Sequence, residues 1–110
     1  MKGRWWMMLQ PLIAQHTSVL RTLCVQEHIV ECIIFGSATR RDFDNASDVD
    51  MVVRFDPDQR VTLFRLNRLA HTMSAILGRS VDLHTWAEIH PRIQTKIRRE
   101  GVPIVEQATG

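Results

Sequence analysis

The chain has 110 residues, of which 45% are hydrophobic, and its formal charge is +2 at neutral pH. These values predict a single folded domain over residues 1–110, exclude an intrinsically disordered chain, and give no support for direct nucleic-acid binding. The apolar run before Pro11 is about five residues long, too short for a signal peptide or a membrane span. Cys24 and Cys32 lie in apolar segments and are interpreted as buried thiols in a reducing cytoplasm, with a disulfide as the lesser alternative.

The first half of the chain predicts one helix and two strands. Apolar residues recur at helical spacing over residues 11–26, and His16 on the same stripe is interpreted as a histidine at the edge of the core. The segment HIVECIIFG then predicts a buried strand that ends at Gly36. DVDMVVRF predicts the next strand by its alternation: Val49, Met51, Val53 and Phe55 face one way, and Asp48, Asp50, Val52 and Arg54 face the other.

The second half predicts a long helix that ends at Gly78 and then a third strand in SVDLHTW. Asp82 and His84 lie opposite the core face of that strand. Thr85 and Glu88 have the spacing of a capping box before a short helix. Pro91 suits the first turn of a last helix with Ile93 and Ile97 toward the core, and GVPIV predicts an edge strand. Together these elements predict an α/β (α+β) fold with a small mixed sheet, helices on one face and the aspartates on the other.

The acidic residues of the sheet predict a metal site. Asp48, Asp50 and Asp82 would share one face, where three carboxylates repel one another unless a divalent cation lies among them. Oxygen ligands favour magnesium or manganese over zinc. A calcium-binding loop that begins at Asp42 is disfavoured, because its sixth position is Ser47 and its twelfth is Val53, where such loops need glycine and glutamate.

A phosphate site is predicted beside the metal. Gly36 allows close backbone approach, and Ser37 offers a hydroxyl and an amide at an expected helix N-terminus. A phosphate cradle next to a carboxylate-held metal indicates a nucleotide and metal-assisted phosphoryl or nucleotidyl transfer. The basic run of the last helix is interpreted as a solvated face, with docking of an acidic partner or RNA as the alternative; it contains Arg92, Lys96, Arg98 and Arg99.

Gly36-Ser37, followed after ten residues by Asp48-Val49-Asp50, resembles the signature of nucleotidyltransferases of the DNA polymerase β superfamily. With Asp82 as a third acidic residue, the chain resembles the minimal nucleotidyltransferases (MNT). The resemblance implies a polymerase β-like core, ATP as substrate and a site for two Mg²⁺ ions. It implies these roles: Asp48, Asp50 and Asp82 as catalytic metal ligands, and Gly36, Ser37, Arg40 and Arg41 as nucleotide-binding residues.

The sequence after the glycine departs from many relatives. Those relatives have Gly-Ser-Arg-Ala-Arg-Gly, whereas this chain has Gly-Ser-Ala-Thr-Arg-Arg. Arg40 keeps its position and Arg41 replaces a glycine, so either arginine can serve the triphosphate.

The resemblance also implies a function. It predicts a Mg²⁺-dependent protein adenylyltransferase that moves AMP from ATP to a hydroxyl, with tyrosine favoured, on a HEPN ribonuclease toxin. The chain would then be a cytoplasmic antitoxin of a type VII-like toxin–antitoxin system. Because the chain ends soon after its last helix, we expect a protein partner to complete the acceptor side. A binding-only antitoxin and a small-molecule nucleotidyltransferase remain the alternatives, and homo-oligomerisation is left open.

Overall fold

A computed structural model describes residues 11–36 and 48–106. Ser37, Arg40 and Arg41 lie outside the described residues. The elements in chain order are α1 (Pro11–Ala14), α2 (Thr17–Gln26), β1 (Ile29–Phe35), β2 (Val49–Phe55), α3 (Leu63–Leu77), β3 (Val81–Thr85), a 3-10 helix (Trp86–Glu88), α4 (Pro91–Glu100) and β4 (Val102–Val105). In these two ranges, no helix has the length and apolar character that crossing a membrane requires.

The strands form one mixed sheet in the order β3-β2-β1-β4. β1 runs antiparallel to both of its neighbours, whereas β2 and β3 are parallel. Parallel neighbours need a long crossover, which α3 provides. The predicted α/β class, the mixed sheet and the edge strand in GVPIV are therefore confirmed.

The larger core lies between the sheet and the helices α2 and α3. Alternate residues of β2 point into it, as the sequence pattern predicts, and Leu20, Leu69 and Met73 pack on them from the helices. Cys24 and Cys32 are both buried here as free thiols, which confirms that part of the prediction.

The second face of the sheet corrects the expectation that all helices cover one face. α4 packs on this face, where Ile97 contacts a small cluster with Ile33 of β1 and Val52 of β2. Ile93, expected to face the core, is 45% exposed.

The helix predicted over residues 11–26 is two helices. The His16 backbone N–H donates to the Ile13 carbonyl at 3.0 Å, which tightens the turn. The Thr17 hydroxyl donates to the same carbonyl at 3.1 Å. The shortened turn at His16 separates α1 from α2.

The predicted helix ends agree with the structure. α3 begins after Thr62, whose hydroxyl accepts from the Arg65 amide, and ends at Gly78 in the left-handed conformation with φ +70°. The capping box is also present, with the Thr85 amide donating to Glu88 Oε1 at 2.7 Å. Pro91 occupies the first turn of α4. These caps fix where β3 ends and where α4 begins.

Candidate active site

The parallel pair of strands brings two predicted site residues together. Asp50 of β2 and Asp82 of β3 are partners in the register of the sheet, so their side chains lie side by side on the second face. One ligand atom from each of Asp50, Asp82 and His84 lies within 4.8 Å of the others. The aspartates lie near the N-terminal ends of their strands, opposite the end of β1.

The electrostatics of Asp50 indicate a site that favours a cation. Partial burial raises the pKa of this carboxyl, and the negative charges of Asp82 and Asp48 raise it further, whereas His84 acts in the opposite direction. The ionised form is therefore destabilised in the protein alone. A cation bound between the carboxylates would remove that repulsion.

Gly36 ends β1 directly over Asp50. Its φ is +75°, which glycine adopts without strain. A Cβ atom at this position would lie 2.7 Å from Asp50 Oδ2, closer than carbon and oxygen tolerate. The positive φ therefore favours glycine here, and any larger residue would also have to displace the Asp50 carboxylate.

His84 is a member of the site that the sequence analysis did not assign. Its Nε2 lies 3.3 Å from Asp82 Oδ2 and its Nδ1 lies 3.8 Å from Glu88 Oε1. Its ring packs against Phe35, with 5.9 Å between the centroids. The sequence could have indicated this role, because His84 lies two residues after Asp82 and both side chains therefore lie on the same face of β3.

Asp48 completes the predicted site residues that the structure describes. Asp48 is exposed and immediately precedes β2. The structure thus brings Gly36, Asp50 and Asp82 together, with Asp48 near enough to affect the pKa of Asp50. The predictions for Ser37, Arg40 and Arg41 concern residues outside the described ranges.

The donor set fits the Mg²⁺ ion that the sequence predicts. Magnesium is bound in nucleotide enzymes by one or two carboxylates together with waters and substrate phosphates. Asp50 and Asp82 supply two such carboxylates, and the pKa of Asp50 is raised first by burial and then by the negative charge of Asp82, which a cation would balance. The imidazole of His84 can orient Asp82, as the second partner of a ligating carboxylate commonly does.

A cavity of about 200 Å³ adjoins this cluster, between the end of β1 and α4. We call it the α4 cavity. Phe35 and Gly36 form one wall, and one side of α4 forms the other with Ile93, Lys96, Ile97 and Glu100. Gly36 therefore belongs both to this cavity and to the contact with Asp50.

A buried carboxylate anchors α4 beside the site. Glu31 of β1 accepts hydrogen bonds from Arg98 Nη1 at 2.6 Å, Arg54 Nε at 3.2 Å and Trp86 Nε1 at 3.0 Å. The Arg98 guanidinium also stacks on the Trp86 ring at 4.1 Å. Burial alone would raise the pKa of Glu31, but the arginine hydrogen bonds and the charge of Arg98 outweigh it, so the pKa lies below its usual range. The network joins β1, β2, the 3-10 helix and α4.

Three solved structures have the same fold. A structure described as "putative minimal nucleotidyltransferase" has a TM-score of 0.71 and 27% identity, and the match covers 83% of this chain and 91% of that one. A toxin–antitoxin crystal structure with AMP-PNP has a TM-score of 0.70 at 16% identity, over 83% of this chain and 73% of the other. A tri-AMPylated HEPN toxin in complex with MNT antitoxin, from Shewanella oneidensis, has a TM-score of 0.64 at 15% identity, over 84% and 71%.

Sequence comparison agrees with the fold. Two relatives from Methanocaldococcus jannaschii, each named "Putative protein adenylyltransferase", are 35% identical over 72 residues and 29% identical over 94 residues. These matches cover 66% and 84% of this chain and 75% and 90% of the relatives. The sequence profile described as "Polymerase beta, Nucleotidyltransferase" matches residues 18–109. The chain therefore belongs to the polymerase β nucleotidyltransferase family.

Proposed function

We propose that this protein is a Mg²⁺-dependent protein adenylyltransferase that transfers AMP from ATP to a hydroxyl of a HEPN-type toxin and so acts as its cytoplasmic antitoxin. The observation that carries the proposal is the juxtaposition of Asp50 and Asp82 in the sheet register beneath Gly36. Carboxylates beside a glycine turn combine a metal site with room for phosphates, as nucleotidyl transfer requires.

The metal would be held by Asp48, Asp50 and Asp82. A Mg²⁺ ion held there would neutralise charge on the triphosphate and on the pyrophosphate leaving group. Asp82 also helps to accept the proton of the attacking hydroxyl. A tyrosine phenol has a pKa near 10, so a nearby carboxylate held in position increases its reactivity at neutral pH. His84, at 3.3 Å from Asp82, keeps that carboxylate oriented.

The triphosphate would lie at the turn after β1. Because Gly36 has no side chain, the backbone lies close to the Asp50 carboxylate at this turn. Ser37 would offer its amide and hydroxyl to the distal phosphates. Arg40 is the first choice for a charge-assisted contact with phosphate, and Arg41 is the alternative. These assignments place the reacting phosphate between the turn and the carboxylates.

The nature of the acceptor follows from the relatives. Two matching sequences carry the name of protein adenylyltransferases, and one solved neighbour is an AMP-bearing HEPN toxin bound to an MNT antitoxin. Another neighbour is a toxin–antitoxin complex with the ATP analogue AMP-PNP. Together they support ATP as the donor and a HEPN toxin as the acceptor. Tyrosine is the hydroxyl that the family resemblance implies.

Intact-mass spectrometry of a purified HEPN-type partner tests the proposal. After incubation with this protein, ATP and Mg²⁺, the mass of the partner should rise by one or more AMP units. Asp50→Asn serves as the control, since it keeps the side-chain volume and removes a ligand charge. A tight complex without any mass increase would favour an antitoxin that acts by binding alone. AMP transfer to a small alcohol but not to the partner would favour a small-molecule enzyme.

A further inference from the structure

We propose that two copies of this protein form a two-fold symmetric dimer through an apolar surface at the start of α3, with Asp58 of one copy facing Arg68 of the other. We call this the α3 surface, and it consists of Val25, Val61, Leu63 and Phe64. The dimer is independent of the proposed function, because the α3 surface lies at the end of the molecule away from the candidate active site.

The α3 surface contains most of the exposed large apolar side chains in the described part of the chain. Within residues 11–36 and 48–106, six such side chains are exposed, and four of them belong to this surface. Leu63 and Phe64 are adjacent in the first turn of α3 and are 73% and 74% exposed. Single apolar residues scattered over a surface are ordinary, whereas a group of them in one place marks a contact site.

Arg65 holds the α3 surface in place. Its guanidinium donates to the Glu27 carbonyl oxygen at 2.7 Å and to the Arg60 carbonyl oxygen at 3.0 Å, and it stacks on the Phe55 ring at 4.7 Å. These contacts join the end of α2, which carries Val25, to the start of α3. The surface is therefore ordered before it binds a partner, so that association costs little conformational entropy.

The charges around the α3 surface favour a second copy of the chain as the partner. Two aspartates and two arginines accompany the apolar residues, namely Asp56, Asp58, Arg60 and Arg68. None of the four forms an ion pair with another residue of the described ranges. Their formal charges cancel, so a strongly acidic or strongly basic partner would not be attracted, whereas an equally balanced surface can supply the missing counter-charges.

The order of these charges matches a two-fold contact. Asp58 lies in the turn before α3, and Arg68 lies one helical turn beyond Phe64, about 6 Å further along the helix axis. When two such surfaces meet antiparallel about an axis near Phe64, the acidic end of each copy faces the basic end of the other. The apolar centres then bury one another, as a self-complementary interface requires.

This dimer leaves both candidate active sites accessible. Asp50 lies near the start of β2, and Phe55, which stacks under Arg65, lies at its end, about 17 Å away. Each copy therefore keeps its own site open to a partner protein.

Sedimentation velocity at several protein concentrations tests the proposal on the full chain alone. We expect the wild type to dimerise at micromolar concentration and Phe64→Ser to weaken dimerisation about thirtyfold or more. Val19→Ser is the control, because it removes a half-exposed apolar side chain of α2 that lies outside the α3 surface. It should leave the dimer unchanged.

Charge exchange tests the pairing of Asp58 with Arg68. Asp58→Lys and Arg68→Glu should each weaken the dimer at least tenfold, because each change brings like charges together at both ends of the interface. The double variant, Asp58→Lys with Arg68→Glu, should restore the dimer, since the same pairs form again with their signs exchanged. Only a contact between two copies of one surface predicts this recovery.

Several results would overturn the proposal. They are a wild type that is monomeric at every concentration, a Phe64→Ser variant that dimerises as the wild type does, or a double charge variant no better than the single ones. A monomeric wild type whose complex with a HEPN-type partner is weakened by Phe64→Ser would assign the α3 surface to that partner and refute the dimer. Because these measurements need neither ATP nor a metal, their outcome is separate from that of the AMP-transfer experiment.

Discussion

Replacing Glu31 by glutamine should destabilise the protein and loosen α4. Glu31 is 9% exposed and accepts hydrogen bonds from Arg98, Arg54 and Trp86. The glutamine amide can keep the bond from Trp86, but it loses the charge that holds the two guanidinium groups. The change therefore removes the electrostatic part of the network while preserving the side-chain volume.

The expected loss in the free energy of unfolding depends on how exposed the two arginine partners of Glu31 are. Breaking a fully buried ion pair costs about 3–5 kcal/mol. The side chains of Arg54 and Arg98 are 45% and 48% exposed, so water can replace part of what they lose. We therefore expect Glu31→Gln to lower the free energy of unfolding by about 2 kcal/mol, which corresponds to a fall in Tm of about 10 °C for a domain of this size.

Urea unfolding followed by circular dichroism measures this loss, with Glu106→Gln as the exposed control. The pKa of Glu31 is lower in the folded protein than in the unfolded chain. Ionised Glu31 therefore contributes its full stabilisation at pH values above its unfolded-state pKa, and this stabilisation is lost as the pH falls through its folded-state pKa. The stability gap between wild type and Glu31→Gln should therefore be full at pH 7 and shrink on acidification. Equal stabilities at pH 7, or a gap that does not depend on pH, would show that the charge of Glu31 does not stabilise the network.

Three further predictions concern the catalytic side. Gly36→Ala should lower the free energy of unfolding by about 1–2 kcal/mol, because alanine is strained at the positive φ of this position. It should also reduce AMP transfer at least tenfold, because the new methyl group displaces the Asp50 carboxylate; full activity would contradict this effect on Asp50. Asp50→Asn should raise the Tm at pH 7 without divalent cations, because the raised pKa of Asp50 means that ionisation costs stability as the pH rises; a lower Tm would contradict this. Arg40→Ala should weaken ATP use tenfold to hundredfold in steady-state kinetics, whereas Arg41→Ala should act mainly on partner modification; the reverse result would assign the triphosphate to Arg41.

Local sequence patterns predicted most of the fold. The alternation in β2 assigned Val49 and Asp50 to opposite faces, and the structure confirms it, because side chains of a strand alternate whatever the sheet around them. Gly78 and Pro91 fixed helix ends through backbone geometry alone. The proximity of Asp50 and Asp82 could be predicted because both residues lie on the face opposite the core in strands of one sheet.

Features that depend on contacts between residues far apart in the sequence could not be predicted from local patterns. α4 is held on its face of the sheet by Ile97 against Ile33 and by Arg98 bonded to Glu31, which lies 67 positions earlier in the chain and looks like an ordinary strand residue in the sequence. The role of His84 depends on its distance from Asp82 and on the ring of Phe35, a β1 residue. The break at His16 is a turn closed by the hydrogen bond from the His16 amide to the Ile13 carbonyl, and the spacing of the apolar residues continues across it.

A decisive measurement is the rate of AMP transfer from labelled ATP to a purified HEPN-type partner, with and without Mg²⁺. The wild type should transfer AMP only when a divalent cation is present. Asp48→Asn and Asp50→Asn should each lose about a thousandfold or more in rate, since metal-assisted charge neutralisation is worth several kcal/mol. A wild-type rate in either variant, or transfer that continues in excess chelator, would contradict a metal-dependent adenylyltransferase site at these aspartates.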